Sequence, residues 1–159
     1  MGSGDGGVTL VRYLATPVAL FIELQESLDG FQREVQLTSL DGAEPVGADV
    51  VEGMVVERDA FVDIRLALHD QAVAAREAGL EHADLEVQFP ADAVERVLMV
   101  TTAARQADRA AAEGRLLTPP VRDEVRRVQS WMYDQVEVQL RGGTPTPFDP
   151  TSGTGAEDG

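Results

Sequence analysis

The sequence predicts a mainly all-α protein, a four-helix bundle with a small two-stranded β ribbon. Four long stretches carry apolar residues three and four positions apart, which is the spacing of one helix face. A glycine follows each stretch, at Gly42, Gly79, Gly114 and Gly142, where helices commonly end in a left-handed residue. Two short segments alternate instead with the period of a strand.

The first helix is expected to begin at Thr16-Pro17, with threonine as the N-cap. Its apolar stripe consists of Phe21, Leu24, Leu28, Phe31 and Val35. Gly30 lies within this helix and should cost about 1 kcal/mol relative to alanine, so we expect one helix, straight or kinked at that residue. The stripe could pack in an intramolecular core or form the interface of a homodimer. The spacing of its residues is the same in both cases and does not distinguish them.

The other three helices follow the same pattern. The second is expected from Gly47 to Ala78, the third after Pro90, and the fourth from Thr118-Pro119-Pro120. The predicted inward residues are Met54, Phe61, Ile64, Leu68, Ala72 and Ala75, then Val94, Val97, Leu98, Thr101, Ala104 and Ala111, and then Val121, Val125, Val128, Met132, Val136 and Leu140. The second and third stripes taper to alanine, which allows helices to approach closely.

The two strand-like segments run from Val8 to Leu14 and from Leu85 to Phe89. Neither would be stable alone, so we expect them to pair as a ribbon that caps the bundle. Residues 1–7 and 142–159 are rich in Gly, Ser, Thr and Pro and are predicted to be flexible, which leaves 8–141 as a single domain. Phe148 is expected to fold back against the helices.

The composition narrows the classes of function. The net charge is -15, and all 13 basic residues are arginine. Nucleic acids and anionic membranes are disfavoured as partners, because both recruit clustered positive charge. The negative charge suits a basic partner or simply good solubility. The chain has no cysteine, no stretch resembling a signal peptide and no apolar run long enough to cross a bilayer, so a cytoplasmic protein is expected.

Candidate chemistry is sparse, and we predict no catalytic residues, cofactor or metal. His69, within Leu68-His69-Asp70, resembles the phosphoacceptor of histidine kinase dimerisation helices; the alternative is a solvent-facing histidine beside the core stripe. His82 is expected in a polar turn. The Glu-x-x-His repeat of carboxylate-bridged metal bundles does not occur.

The end of the fourth helix is the most distinctive stretch. Trp131, Tyr133 and Phe148 are candidate interaction residues, since aromatic side chains are enriched in binding hot spots. The alternative for Trp131 is a core anchor. Arg126 and Arg127 are candidates for the same patch, or they pair with acids nearby.

This C-terminal region resembles a group of uncharacterised actinobacterial helical proteins. The resemblance rests on Trp131 to Gly142 and Pro145-Thr146-Pro147-Phe148, on the turn from Gly114 to Pro120, and on the first helix from Pro17 to Leu40. The chain departs from the group's pattern in placing Met132 between Trp131 and Tyr133, and in ending on Phe148 where the group has Trp.

The resemblance implies a gene neighbourhood of anti-sigma factors, their antagonist domains and serine phosphatases. Our leading hypothesis is therefore a non-enzymatic regulatory protein that binds a protein partner such as an anti-sigma factor. Two alternatives remain: phosphotransfer through His69, and a small-ligand sensor with a cavity between the alanine-rich ends of the second and third helices.

Overall fold

The computed structural model describes residues 7–40 and 47–151, which form four helices and a two-stranded antiparallel sheet. In chain order the elements are β1 (Val8–Pro17), α1 (Val18–Leu40), α2 (Ala48–Glu77), β2 (His82–Pro90), α3 (Val94–Ala112) and α4 (Asp123–Leu140). The fold is mostly helical, as predicted. Because the sheet packs against α2 and α4 and supplies part of the core, the fold is a mixed helix and sheet arrangement.

The strands pair from Val8 opposite Pro90 to Pro17 opposite His82. Their inward residues Val11, Tyr13, Leu85 and Phe89 are all buried in the main core. The pairing of the two predicted segments is confirmed. Their expected position as a cap is wrong, because alternation along each strand gives the sheet an apolar face that the helices cover.

Both outer edges of the sheet are occupied by glutamine side chains. The Arg12 N–H donates to Gln139 Oε1 and Gln139 Nε2 donates to the Arg12 carbonyl, both at 2.8 Å. Gln71 makes the same pair of bonds to the backbone of Glu86, at 2.8 and 3.0 Å. A helix on each side therefore satisfies backbone groups that an edge strand would otherwise leave unpaired.

The junction of β1 and α1 differs from the prediction. The pairing is irregular between Tyr13 and Thr16, with Ala15 in the left-handed region at φ 56°. Thr16 lies fully buried in the strand, and its hydroxyl donates to the Tyr13 carbonyl. The helix begins at Val18, whose N–H donates to the Glu81 carbonyl. Thr16 is therefore not an N-cap, because it belongs to the strand and its hydroxyl is used there.

The predicted stripes of α1 and α4 are largely confirmed. Phe21, Leu24, Phe31 and Val35 are buried within the chain, and α1 continues through Gly30. On α4 the buried apolar residues are Val125, Val128, Met132 and Val136. The helix begins at Asp123 and not at Thr118, because Glu34 and Asp108 accept hydrogen bonds from the preceding segment and hold it outside the helix.

The inward face of α3 was predicted only in part: Val97 and Thr101 are buried as expected, but Leu98 is not. Leu98 is 37% exposed, whereas Ala103, Ala107 and Ala110 are buried. The reason is the close crossing of α2 and α3 at Gly53, where an added Cβ would lie 2.3 Å from Ala103 Cβ. Only small residues fit at such a crossing, so alanines face α2 and the larger side chain is turned outward.

The prediction that a glycine follows the end of each helix is confirmed at three of the four positions. Gly79, Gly114 and Gly142 have φ values of 79°, 78° and 92°, and each follows the end of a helix. Gly42 lies outside the described residues.

Candidate functional site

A cavity of about 130 Å³ lies among the sheet and all four helices. Its walls are mainly apolar: Phe21, Leu24, Leu28, Phe61, Ile64, Leu68, Phe89, Val97, Val100, Met132 and Val136. The ligand-sensor hypothesis placed a cavity between the alanine-rich ends of α2 and α3, and that position is wrong. Those ends do not face each other, since Ala72 and Ala75 belong to the main core whereas Ala107 and Ala110 pack in a second cluster with Phe31.

Six polar residues also line this cavity: Tyr13, Gln25, Glu57, Arg65, Gln129 and Tyr133. Arg65 reaches outward, where its Nη1 donates to Asp29 Oδ1 at 2.6 Å, and its Nε lies 3.5 Å from Glu57 Oε2. That Nε is buried and makes no hydrogen bond within the described residues. Buried polar atoms normally make hydrogen bonds, so this N–H, which contacts Glu57 only at ion-pair distance, can still donate to a bound group.

Both tyrosines in the cavity wall have a raised pKa. Burial raises the pKa of Tyr133 to about 12, an effect opposed by a hydrogen bond with Gln129. Burial also raises the pKa of Tyr13, and the neighbouring Tyr133 adds to this shift. Both phenols therefore remain neutral at physiological pH and keep an O–H that can donate.

His69 contributes to the helix packing beside the cavity. Its Nδ1 lies 2.7 Å from Gln25 Oε1, and Gln25 Nε2 donates to the Arg65 carbonyl. Since an amide oxygen only accepts, Nδ1 is the donor in this bond. The bond joins α1 to α2. Phosphotransfer through His69 stays a prediction.

The predicted aromatic residues pack against other residues of the same chain. Trp131 is half-buried and packs edge-on between Tyr13 and Phe148, at ring distances of 6.0 and 5.3 Å. Its Nε1 donates to the Thr146 carbonyl, and the Phe148 N–H donates to the Leu14 carbonyl. The expectation that Phe148 folds back is confirmed. Tyr133 lies apart from this group, in the cavity wall.

The segment that carries Phe148 is also held by a glutamine of α4, Gln135. Gln135 is buried, its Nε2 donates to the Thr146 hydroxyl, and its Oε1 accepts the Thr146 N–H, both at 2.9 Å. The first part of the segment that the sequence predicted to be flexible therefore lies against α4 and β1.

One of the two predicted arginines is engaged by acids of the same chain. Arg126 pairs with Asp108 at 2.8 Å and with Asp123 at 2.6 Å, and these hydrogen bonds raise the pKa of its guanidinium. Arg127 is half-buried. The alternative interpretation, pairing with nearby acids, therefore holds for Arg126.

A groove between α2 and α3 forms a second candidate surface. It is lined by Glu52 of α2 and by Glu95, Leu98, Met99, Thr102 and Ala103 of α3. Leu98 and Met99 are 37% and 38% exposed. Sequence analysis missed this groove because it assigned Leu98 to the core and did not weigh Met99.

Among the described residues, no group of three or more His, Cys, Asp or Glu side chains is arranged to hold a metal ion. None of the helices in the described ranges has the length and apolarity that a bilayer crossing requires. No protein-family model, no curated protein and no solved structure matches this chain.

Proposed function

We propose that this chain is a non-enzymatic regulatory protein of the cytoplasm that binds another protein, as an accessory to an anti-sigma or similar partner-switching system. The observation that carries the proposal is the groove between α2 and α3. It places Leu98 and Met99 in solvent contact between two carboxylates, Glu52 and Glu95. Adjacent exposed apolar side chains with polar residues at their rim mark surfaces that bind protein segments.

The charge of the chain favours a basic partner. The described residues pair eight of the 13 arginines with acids of the same chain. These are Arg12, Arg58, Arg65, Arg96, Arg115, Arg122, Arg126 and Arg141. Much of the positive charge is thus locally neutralised, while the 28 acidic residues leave a large negative excess. Such a field attracts positively charged surfaces and speeds their association.

The groove fits one kind of occupant well. A helix with an apolar stripe and basic flanks would cover Leu98 and Met99 and place its positive charges beside Glu52 and Glu95. Docking of an amphipathic helix in a groove is a common mode of recognition. The resemblance of the chain to uncharacterised actinobacterial helical proteins, through the gene neighbourhood that it implies, points to anti-sigma factors, their antagonists and serine phosphatases as candidate carriers of such a helix.

The test is a titration of each purified candidate partner with the full chain, at low and at high salt. We expect Met99→Glu to weaken binding about tenfold or more, as loss of a hot-spot residue does. Replacement of both Glu52 and Glu95 by Gln should weaken binding at low salt and reduce its salt dependence, because exposed charges are screened.

Leu66→Ser is the matched control. Leu66 is 53% exposed and lies on α2, but it is 14 residues from Glu52 along the helix, which is about 21 Å. This variant should bind like the unmodified chain. Binding that is indifferent to Met99→Glu, or the absence of binding to every candidate regulator, would overturn the proposal.

A further inference from the structure

The cavity has a composition that suits a small molecule. Eleven of its 17 lining residues are apolar, and its volume is about 130 Å³. A dry apolar cavity of about 150 Å³ in another protein accepts benzene. The space among the sheet and helices is therefore large enough for one aromatic ring or a group of similar size.

The polar groups in the wall narrow the class of molecule. Arg65 Nε is a buried donor without a hydrogen bond among the described residues. The hydroxyl of Tyr133 is within hydrogen-bonding reach of Gln129, and the ring lines the same space. The Glu57 carboxylate beside this Nε already accepts a hydrogen bond from Gln32 Nε2 and forms an ion pair with Arg65. The wall thus presents two donors to a bound molecule, Arg65 Nε and the Tyr133 hydroxyl.

The charge of the wall argues against an anionic ligand. Arg65 is balanced by Glu57 at 3.5 Å and by Asp29 at 2.6 Å. A carboxylate would add a further negative charge to a site whose single cation already has two acidic neighbours, and its desolvation would not be offset. A neutral acceptor such as a ketone or amide carbonyl meets the donors without that cost.

We propose that this cavity binds a neutral molecule of about the size of one aromatic ring that carries a single hydrogen-bond acceptor, with Arg65 and Tyr133 as the donors. The site is separate from the α2–α3 groove, so it stands independently of the proposed protein partner. Arg65 lies on the solvent side of the cavity wall, since its side chain is 22% exposed and pairs with Asp29.

The chain supplies internal reporters for a test. It has two isoleucines, of which Ile64 lines the cavity and Ile22 does not. Met132 also lines it, whereas Met99 lies in the α2–α3 groove. Methyl-labelled full-length protein is titrated with acetophenone, with α-methylstyrene as the matched probe that lacks the oxygen, and with benzoate as the charged probe.

Acetophenone should shift the methyl signals of Ile64 and Met132 saturably, with a Kd of about 1 mM or below, and leave Ile22 and Met99 unchanged. It should bind about threefold to tenfold more tightly than α-methylstyrene, as expected for one added hydrogen bond. Tyr133→Phe keeps the ring and removes the hydroxyl, so it should reduce that preference.

Ile64→Trp should block binding by filling the cavity, and Leu66→Trp on the exposed neighbouring position is its control. If Ile64→Trp fails to fold, the methyl shifts of the unmodified chain decide alone. Absence of saturable shifts, equal shifts at all four methyl groups, equal affinity for the two uncharged probes, or tighter binding of benzoate would each overturn the proposal.

Discussion

The close crossing of α2 and α3 gives a quantitative prediction for Gly53. In an ordinary helix interior, replacing glycine by alanine stabilises the fold by about 1 kcal/mol. At Gly53 the added Cβ would lie 2.3 Å from Ala103 Cβ and 3.2 Å from the Met99 carbonyl oxygen. The helices would have to separate by more than 1 Å, roughly, for the two methyl groups to reach ordinary contact near 3.5–4.0 Å.

Overpacking of this kind costs about 1–3 kcal/mol. Gly53→Ala should therefore lower the free energy of unfolding by up to about 2 kcal/mol once the propensity gain is subtracted. Gly30→Ala is the matched control, because its Cβ would meet Thr118 Cγ2 at 3.9 Å, an ordinary contact. That variant should gain stability, by up to about 1 kcal/mol.

The assay is urea unfolding followed by circular dichroism, with the double variant Gly53→Ala, Ala103→Gly included. Removing the Ala103 methyl group frees the space that the new Cβ needs. The double variant should therefore be more stable than the sum of the single changes predicts, by about 1–3 kcal/mol. Equal stabilisation by Gly53→Ala and Gly30→Ala, or strict additivity in the double variant, would refute the close-contact argument.

Three further predictions follow from the hydrogen bonds and aromatic contacts. Gln139→Leu should lower the free energy of unfolding by about 1–3 kcal/mol, because the backbone groups of Arg12 lose both partners; an unchanged urea midpoint would contradict this. Burial raises the pKa of Glu34, but three hydrogen bonds from the segment before α4 outweigh it and lower the pKa below its usual value. The stabilisation from Glu34 is therefore present at neutral pH and lost as the pH falls through that lowered pKa. Glu34→Gln should flatten the acid side of the stability profile, and an unaltered acid side would count against it. Phe148→Ala should expose Trp131 and shift its fluorescence to longer wavelength, since the two rings lie 5.3 Å apart; an unshifted spectrum would show that the stack does not shield the indole.

The elements that the sequence predicted well are those whose apolar residues are large. Phe21, Leu24 and Phe31 on α1 face the core as their spacing indicates, because burying them outweighs other preferences. The buried face of α3 could not be predicted from the size and spacing of its apolar residues. Its position is set by how near α2 approaches at Gly53, and this distance depends on the other helix.

The buried glutamines show a second limit of prediction from the sequence. Gln129, Gln135 and Gln139 are each at most 7% exposed, although a polarity pattern places them on the outer face of α4. Gln135 and Gln139 bind backbone segments that are distant in the sequence, Thr146 and Arg12. The cavity has the same origin, since residues of both strands and all four helices line it together. Only Tyr133 of its wall was predicted as a site residue, and for another role.

The glutamines that bind the outer edges of the sheet also restrict how this protein can meet others. An extended segment of another chain adds to a sheet by bonding to a free edge, as in strand addition. Here Gln139 and Gln71 already hold the outward backbone groups of Arg12 and Glu86. An incoming strand would have to displace both bonds of a glutamine at either edge. The partner proposed above would therefore bind a helical surface, and the same feature protects the sheet from edge-to-edge aggregation.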